Sequence, residues 1–360
     1  MLPVYFNGKF YAGGLNGVHR VADRLIREYD ALLAALDPCQ RPSVRLILPR
    51  SRKWQPYLQA IELVEEEGAD SQTWEQFRLP RLAADGILVN LCNLAPLAHR
   101  RKLILIHDAQ FLFPDSGYPM RQRLGYRFLV PRMARSSSQV LTVSDYSRQM
   151  LDLMGVVPRD RTGVLYNGAD HILDATSDRD ALPRLGLDPG SYVLLFGSPK
   201  GYKNVAVVFK AFADPPPGLR LVVVGTSEAE LRGAGLTLPP NVLFVGKIDD
   251  GVLRALYESA HALAFPSRTE GFGLPPVEAM LCRCPVVAAP AGAIPEVCRD
   301  AVIYADVDDA LSWHAAFMRL LDPESRAAKL AAGAIRAGAF TWRSSARRLF
   351  DRTLVMMDQP

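Results

Sequence analysis

Two glutamates, Glu270 and Glu278, are separated by seven residues within the run Phe265–Ala289, FPSRTEGFGLPPVEAMLCRCPVVAA. The run reads as strand, glycine-rich loop, helix and strand. Gly271 and Gly273 allow a backbone to approach a ligand closely, and Pro275 and Pro276 suit a first helical turn. The N-terminus of that helix offers free N–H groups and a dipole, which favour an anion or sugar hydroxyls. Proline has no N–H, so the usable donors are confined to Gly271–Leu274. The spacing puts Glu270 before the loop and Glu278 in the first helical turn. Two carboxylates then flank one anion site, and carboxylates accept hydrogen bonds from vicinal hydroxyls, as on a hexose or a ribose. Without a ligand, Glu278 reads as a partner of the helix dipole, worth about 0.3–1 kcal/mol.

Other segments carry isolated chemical groups. Phe196-Gly-Ser-Pro-Lys-Gly-Tyr-Lys203-Asn204 reads as a strand end, a loop and a helix start, with Ser198, Lys200 and Lys203 in the loop. Lys203 is either an anion ligand or a surface residue. Leu103–Ile106 runs into His107-Asp108, so an imidazole stands at a strand end, where it is a catalytic group or a structural one. Asp108 orients it or caps the loop. Gly13-Gly14-Leu15-Asn16-Gly17 precedes a helix but lacks the first-strand GxGxxG spacing of a dinucleotide site. Ser144 and Ser147, in Thr142–Ser147, read equally as helix caps. Asp306-x-Asp308 reads as a turn and cap, and Cys282-x-Cys284 lacks the second Cys/His pair of a zinc site.

The elements that must position these groups alternate along the chain in the manner of parallel βαβ units. In the first half the expected strands are Leu2–Phe6, Val44–Leu48, Ile87–Leu91, Leu103–Ile106 and Gln139–Val143, with a helix over Val18–Leu36. After Asn167–Asp170 the polar stretch HILDATSDRDALPRLGLDPG reads as a linker. A second series follows, with strands at Tyr192–Phe196, Leu219–Val224, Val242–Val245, Ala262–Phe265 and Pro285–Ala288. The expected domains are residues 1–172 and 173–342, and a last helix over 343–360 is expected to pack back on the first domain. Open parallel sheets bind ligands at their C-terminal strand ends, so two such domains suggest a substrate cleft between them.

At 360 residues, 49% of them apolar, the chain is long enough for two cores. Five cysteines, odd in number and scattered, do not indicate a disulfide framework. The N-terminus lacks a basic stretch followed by an apolar run, and no segment approaches a membrane span. A cytoplasmic protein is expected, with no nucleic-acid partner. The net charge of +4 is uneven, with 22 Lys/Arg against 17 Asp/Glu in residues 1–172 and 20 against 21 in the rest. Arg121, Arg123, Arg127, Arg132 and Arg135 lie on one expected helix with Leu124, Tyr126, Phe128 and Leu129. Such a helix can meet anionic lipid at a membrane surface, or it is simply a solvated face.

Glu270 and Glu278, within EGFGLPPVEAM and before Pro285-Val286-Val287, resemble the signature of retaining glycosyltransferases of family 4, which have the GT-B fold. The resemblance extends over most of the chain, with its strongest motifs in residues 190–305. It implies an α/β architecture of two Rossmann-like domains facing across a cleft, the first taking the acceptor and the second a nucleotide-sugar donor. It also implies that Glu270 contacts the donor sugar, that Glu278 contacts the ribose, and that the amides of Phe272, Gly273 and Leu274 hold sugar and phosphate. Lys203 becomes the diphosphate ligand, His107 a catalytic neighbour of the sugar, and Gly14 part of a loop closing on the diphosphate. Lys247 and Ile248 follow the strand end whose backbone meets the base. Many members carry an arginine where this chain has Ser198; Lys200 is a candidate substitute, although it lacks the guanidinium fork. The family usually has small residues where this chain has Cys282, Arg283 and Cys284.

The function so implied is transfer of a hexose, mannose as first choice, from an NDP-sugar to a hydroxyl of a saccharide acceptor, lipid-linked for preference. No metal or other cofactor is expected, because Lys203 and the helix N-terminus would stabilise the leaving diphosphate. The alternatives are a nucleotide-sugar epimerase or phosphorylase-like enzyme of the same fold, and a non-catalytic protein that binds sugar nucleotides or a membrane surface.

Overall fold

The computed structural model describes residues 1–113 and 119–358. They form two compact units: Met1–Leu112 with 119–168 and 341–358 in the first, and Phe113 with Ala169–Phe340 in the second. Gln359 and Pro360, within the expected closing helix, lie outside the described residues.

The first unit is built on seven parallel strands: β1 (Val4–Asn7), β2 (Val44–Pro49), β3 (Glu62–Glu66), β4 (Ile87–Asn90), β5 (Lys102–Leu105), β6 (Gln139–Thr142) and β7 (Thr162–Val164). Their order is β3-β2-β1-β4-β5-β6-β7. The central strands are buried along their whole length, as parallel strands covered on both faces must be, and this is why they are short apolar runs. β3 and β7 lie outside the expected set. β3 is the edge strand ELVEE, whose charged residues face solvent, so it shows no apolar run.

Helix Gly17–Ala34 packs beside the closing helix Trp342–Met357. The Tyr29 hydroxyl shares a 2.8 Å hydrogen bond with Thr353 Oγ1, and the Tyr29 and Phe350 rings lie 5.0 Å apart. Gly168 sits against the backbone of Thr341 and Trp342, with no room for a Cβ, so a glycine is required where the closing helix begins.

The second unit holds six parallel strands: β8 (Tyr192–Phe196), β9 (Arg220–Val224), β10 (Val242–Gly246), β11 (Ala262–Phe265), β12 (Val286–Ala288) and β13 (Ile303–Tyr304). The order β10-β9-β8-β11-β12-β13 is that of the doubly wound nucleotide-binding sheet. Its core gathers Val193, Leu195, Leu221, Val223 and Ala264 against Phe209, Phe212, Trp313 and Phe317. The stretch expected as a linker is ordered within this unit: His171 and Ile172 are buried, and Ala181–Leu185 is a short helix.

Helix Leu274–Leu281 ends in a Schellman motif: Cys284 N–H donates to Ala279 O at 2.8 Å and Arg283 N–H to Met280 O at 3.1 Å. Arg283 holds the left-handed position of that motif, at φ 57°. A Cβ costs energy there, and glycine is the usual occupant. The small residue expected at this position therefore has a backbone reason. Arg283→Gly should raise stability by about 1 kcal/mol, read as a higher urea midpoint with an unchanged slope.

Candidate functional site

The two middle strands of the second sheet, β8 and β11, are neighbours from which the chain winds to opposite sides. Loops leaving such a pair diverge and leave a crevice beyond the strand ends. The loop after β8 carries Ser198, Lys200 and Lys203, and the loop after β11 carries Glu270. Lys203 Nζ meets Glu270 Oε1 at 2.7 Å, with the two side chains 29% and 14% exposed. An ammonium has three N–H donors, so one bond to Glu270 leaves Lys203 able to hold an anion as well. Glu270 Oε2 has no partner among the described residues and stands as an acceptor for a hydroxyl.

Several contacts fix this pair. Lys203 ends the 3-10 turn Gly201–Lys203, and Asn204 follows in the left-handed region at φ 52°. Arg268 N–H donates to Tyr202 O at 2.8 Å, while its guanidinium reaches Asn204 Oδ1 at 3.2 Å and pairs with Asp308. Asp308 is therefore an ion-pair partner, and the cap of the following helix is Asp309. Ala293 N–H donates to Glu270 O at 3.0 Å. Gly292, at φ 61°, lies so close to the Glu270 backbone that a Cβ would come within 2.5 Å of its nitrogen. Arg268 and Gly292 support the site without being singled out by the sequence. Ser198 is half-buried, and its hydroxyl accepts from the N–H of Lys200 at 3.3 Å, while the Lys200 side chain stays exposed.

Gly273 takes φ 91° to turn the loop into helix Leu274–Leu281. The Phe272 side chain is buried, edge-on to Phe340 at 5.4 Å, so only its backbone can serve a ligand. Glu278 departs from expectation. The helix begins at Leu274, which puts Glu278 in the second turn, and the carboxyl group is buried rather than facing solvent. His171 Nε2 meets Oε1 at 3.1 Å and the Tyr257 hydroxyl donates to Oε2 at 3.2 Å. Burial and the neighbouring carboxylate raise the Tyr257 pKa far above its ordinary value, keeping it a donor. Lys247, exposed, and Ile248, half-buried, follow β10 at the same end of the sheet.

In the first unit His107 follows β5 and is 5% exposed. Its Nε2–H donates to the Leu91 carbonyl at 2.8 Å, which leaves Nδ1 as the acceptor nitrogen of a neutral ring. Burial pushes its pKa down to about 4. The backbone is clamped as well: His107 N–H donates to Asn93 Oδ1 at 2.7 Å, and the Ser147 hydroxyl donates to His107 O at 3.1 Å. Asn93 itself is held at φ 65°. Asp108 accepts from Gln110 N–H at 2.9 Å, the loop-capping alternative, and Ser144 caps its helix through Ser147 N–H at 2.9 Å. Gly14 is exposed, with nothing within 4 Å of where a Cβ would stand. Cys282 and Cys284 are buried free thiols, both pushed up to about 12 chiefly by burial.

Two parallel, doubly wound sheets, one in each unit, define an architecture of two Rossmann-like domains. Residues 183–337 match the family model of glycosyl transferases group 1. The chain is 27% identical over 227 residues to the O-antigen chain mannosyltransferase RfbU of Salmonella typhimurium, covering 61% of each. It is 30% identical over 275 residues to the O-antigen chain mannosyltransferase B of Escherichia coli, covering 68% of each. With a D-inositol 3-phosphate glycosyltransferase of Segniliparus rotundus it shares 34% over 273 residues, 70% of this chain and 59% of that one. The chain thus spans about three fifths of the first of these relatives. The solved structure of Anabaena HepE in complex with UDP-glucose superposes at a TM-score of 0.73, with 20% identity, over 99% of this chain and 100% of that one. The chain belongs to the group 1 glycosyltransferases and has their GT-B fold of two Rossmann-like domains.

Two stability measurements check the geometry. His171→Leu removes one donor from a buried carboxylate and should cost about 1–3 kcal/mol, with His171→Gln recovering part of it. The folded His107 pKa of about 4 lies below the unfolded value of about 6.5, so its contribution is complete above pH 6.5 and lost as pH falls toward 4. His107→Gln should flatten that acid limb, by about 3 kcal/mol at most, in urea melts taken across the range.

Proposed function

We propose that the protein transfers a hexose, mannose as first choice, from an NDP-sugar to a hydroxyl of a saccharide acceptor with retention of configuration. The observation that carries this reading is the Lys203–Glu270 pair at the β8/β11 crevice. A fixed ammonium beside a carboxylate with one unpartnered oxygen matches a sugar diphosphate, whose charge lies next to its hydroxyls. Lys203 and the Gly271–Leu274 amides would hold the diphosphate as negative charge builds on the leaving oxygen. Glu270 would orient the sugar, and His107, neutral and clamped, would offer Nδ1 as an acceptor. The departing phosphate oxygen would take the acceptor proton, so no enzyme nucleophile is invoked. Glu278, held by His171 and Tyr257, keeps spare lone pairs for ribose hydroxyls. Mannose is favoured over glucose because two relatives are O-antigen mannosyltransferases by name.

The same reading includes a lipid-linked acceptor and contact with the inner membrane face. No described helix is long and apolar enough to cross a membrane. Helix Met120–Arg135 instead exposes Met120, Leu124 and Phe128 along one stripe, beside Arg121 and Arg127. Arg127, Arg132 and Arg135 line a hollow of about 410 Å³ suited to a phosphate headgroup.

In a folded protein Lys203→Met should lower transfer by about 100-fold or more, as loss of an oxyanion-stabilising group does elsewhere, and Glu270→Ala by about 100-fold through a misplaced sugar. Activity should survive EDTA; loss that magnesium or manganese restores would end the metal-free reading. Binding to vesicles containing phosphatidylglycerol should weaken with salt and in Arg121→Glu/Arg127→Glu, whereas salt-independent behaviour would remove the membrane from the proposal.

A further inference from the structure

Helix Met120–Arg135 and the turn that follows helix Asp145–Leu153 together line the hollow of about 410 Å³. Arg127, Pro131 and Arg135 share one helix face at i, i+4 and i+8, with Arg132 alongside. The remaining lining is apolar: Leu112, Met154 and the buried Val156, with Gly155 between them. The turn offers no backbone donor, because the N–H groups of Met154, Gly155 and Val156 are committed to the Met150, Asp152 and Leu151 carbonyls at 3.0, 2.9 and 2.9 Å. Recognition in the hollow therefore falls to the guanidinium groups. Arg132 is fixed in place: its Cζ lies 3.5 Å from the Phe128 ring centroid and its Nη1 donates to Phe128 O at 2.8 Å, which leaves the other N–H groups of the fork for a ligand.

Charge sets this hollow apart. Elsewhere in the unit Arg45 is matched by Glu62 at 2.8 Å, Arg52 by Glu65 at 2.6 Å and Arg159 by Asp145 at 3.0 Å. Among the described residues Arg127, Arg132 and Arg135 form no ion pair, and no Asp or Glu lines the hollow. The C-terminal end of the helix offsets only about half a charge of the three. Three guanidinium groups around an apolar floor repel one another, and a bound anion relieves that repulsion. The oxygens decide which anion. A phosphodiester spreads one charge over two free oxygens, enough for one guanidinium fork. A terminal phosphate has three acceptor oxygens and a charge of about −1.5 to −2 at pH 7, which suits three guanidiniums. Exposed Met154, with Leu153 beside it and Phe128 under Arg132, gives the rim an apolar side on which an attached chain can lie.

We propose that the hollow is a site for a terminal phosphate group, selecting a phosphomonoester over a phosphodiester. This deepens the membrane contact proposed above, on which it rests for a lipid as the source; a soluble phosphomonoester would use the same chemistry. The test compares binding of the full chain to phosphatidylcholine vesicles that carry phosphatidic acid or phosphatidylglycerol at matched surface charge. A soluble arm compares glycerol 3-phosphate with dimethyl phosphate by saturation-transfer NMR in Lys203→Met, which lacks the donor-crevice ammonium. The phosphomonoester should be preferred by about 10-fold in both arms, as one charge-assisted hydrogen bond provides. Arg132→Lys/Arg135→Lys keeps every charge but removes two forks, so it should bring the two lipids within about twofold of each other at an unchanged melting temperature. A preference that survives this double variant, or no preference in either arm, would overturn the site. Glycerol 3-phosphate binding that the double variant loses, without vesicle binding, would leave the site standing and sink the membrane reading. Equal binding to both kinds of vesicle with no glycerol 3-phosphate binding would sink the site and leave the membrane reading in place.

Discussion

A lysine and a glutamate from loops far apart in sequence stand 2.7 Å from each other because two parallel strands stand side by side. β8 delivers Lys203 and β11 delivers Glu270, and the pairing of Val193 with Ala262 and Leu195 with Ala264 sets how far each loop begins from the other. The surrounding contacts support this pair. The left-handed turn at Asn204, the Arg268 bridge and the close approach of Gly292 each remove a freedom from one of the two loops. The ammonium already has a carboxylate neighbour, so the charges of this pair are fixed in place by the fold.

Burial governs the neighbouring carboxylate in a different way. Glu278 has exchanged water for His171 and Tyr257, and a buried carboxylate is tolerable only with such donors in place. Breaking one contact costs more than making it gained, because the unsatisfied oxygen cannot return to solvent. A carboxyl group fixed this firmly has little freedom to reorient. His107 is rigid for related reasons: its side chain, N–H and carbonyl are all engaged, and its neutrality follows from burial.

The sequence made the central strands legible because parallel strands buried on both faces must be apolar runs, and Tyr192–Phe196 and Ala262–Phe265 coincide with β8 and β11. Edge strands were not legible: β3 is ELVEE and β13 is two residues long. The candidate site was legible at Glu270, where a glycine-rich loop runs into a helix start, whereas Lys203 stood out only through the family resemblance. It was not legible where a partner came from a segment with no pattern of its own. His171 lies in a polar stretch whose composition speaks only of a linker, and its role exists only once the chain has folded against helix Leu274–Leu281. Glu278 was misplaced by one turn, since proline tolerance marks a helix start without fixing which residue begins it. Arg268 and Gly292 had no signal beyond residue type.

The two units repeat one sheet order and turn it to opposite electrostatic ends. In the second unit the crevice presents a lysine and a helix N-terminus, both favourable to a diphosphate. In the first, the equivalent crevice is lined by Glu75, Asp70, His19 and Lys9, with Lys9 paired to Glu75. Backbone topology creates a concavity at each switch point but leaves its charge to the residues that follow the strands. The same strand order thus carries a lysine and a helix N-terminus at one switch point, and two carboxylates with a paired lysine at the other.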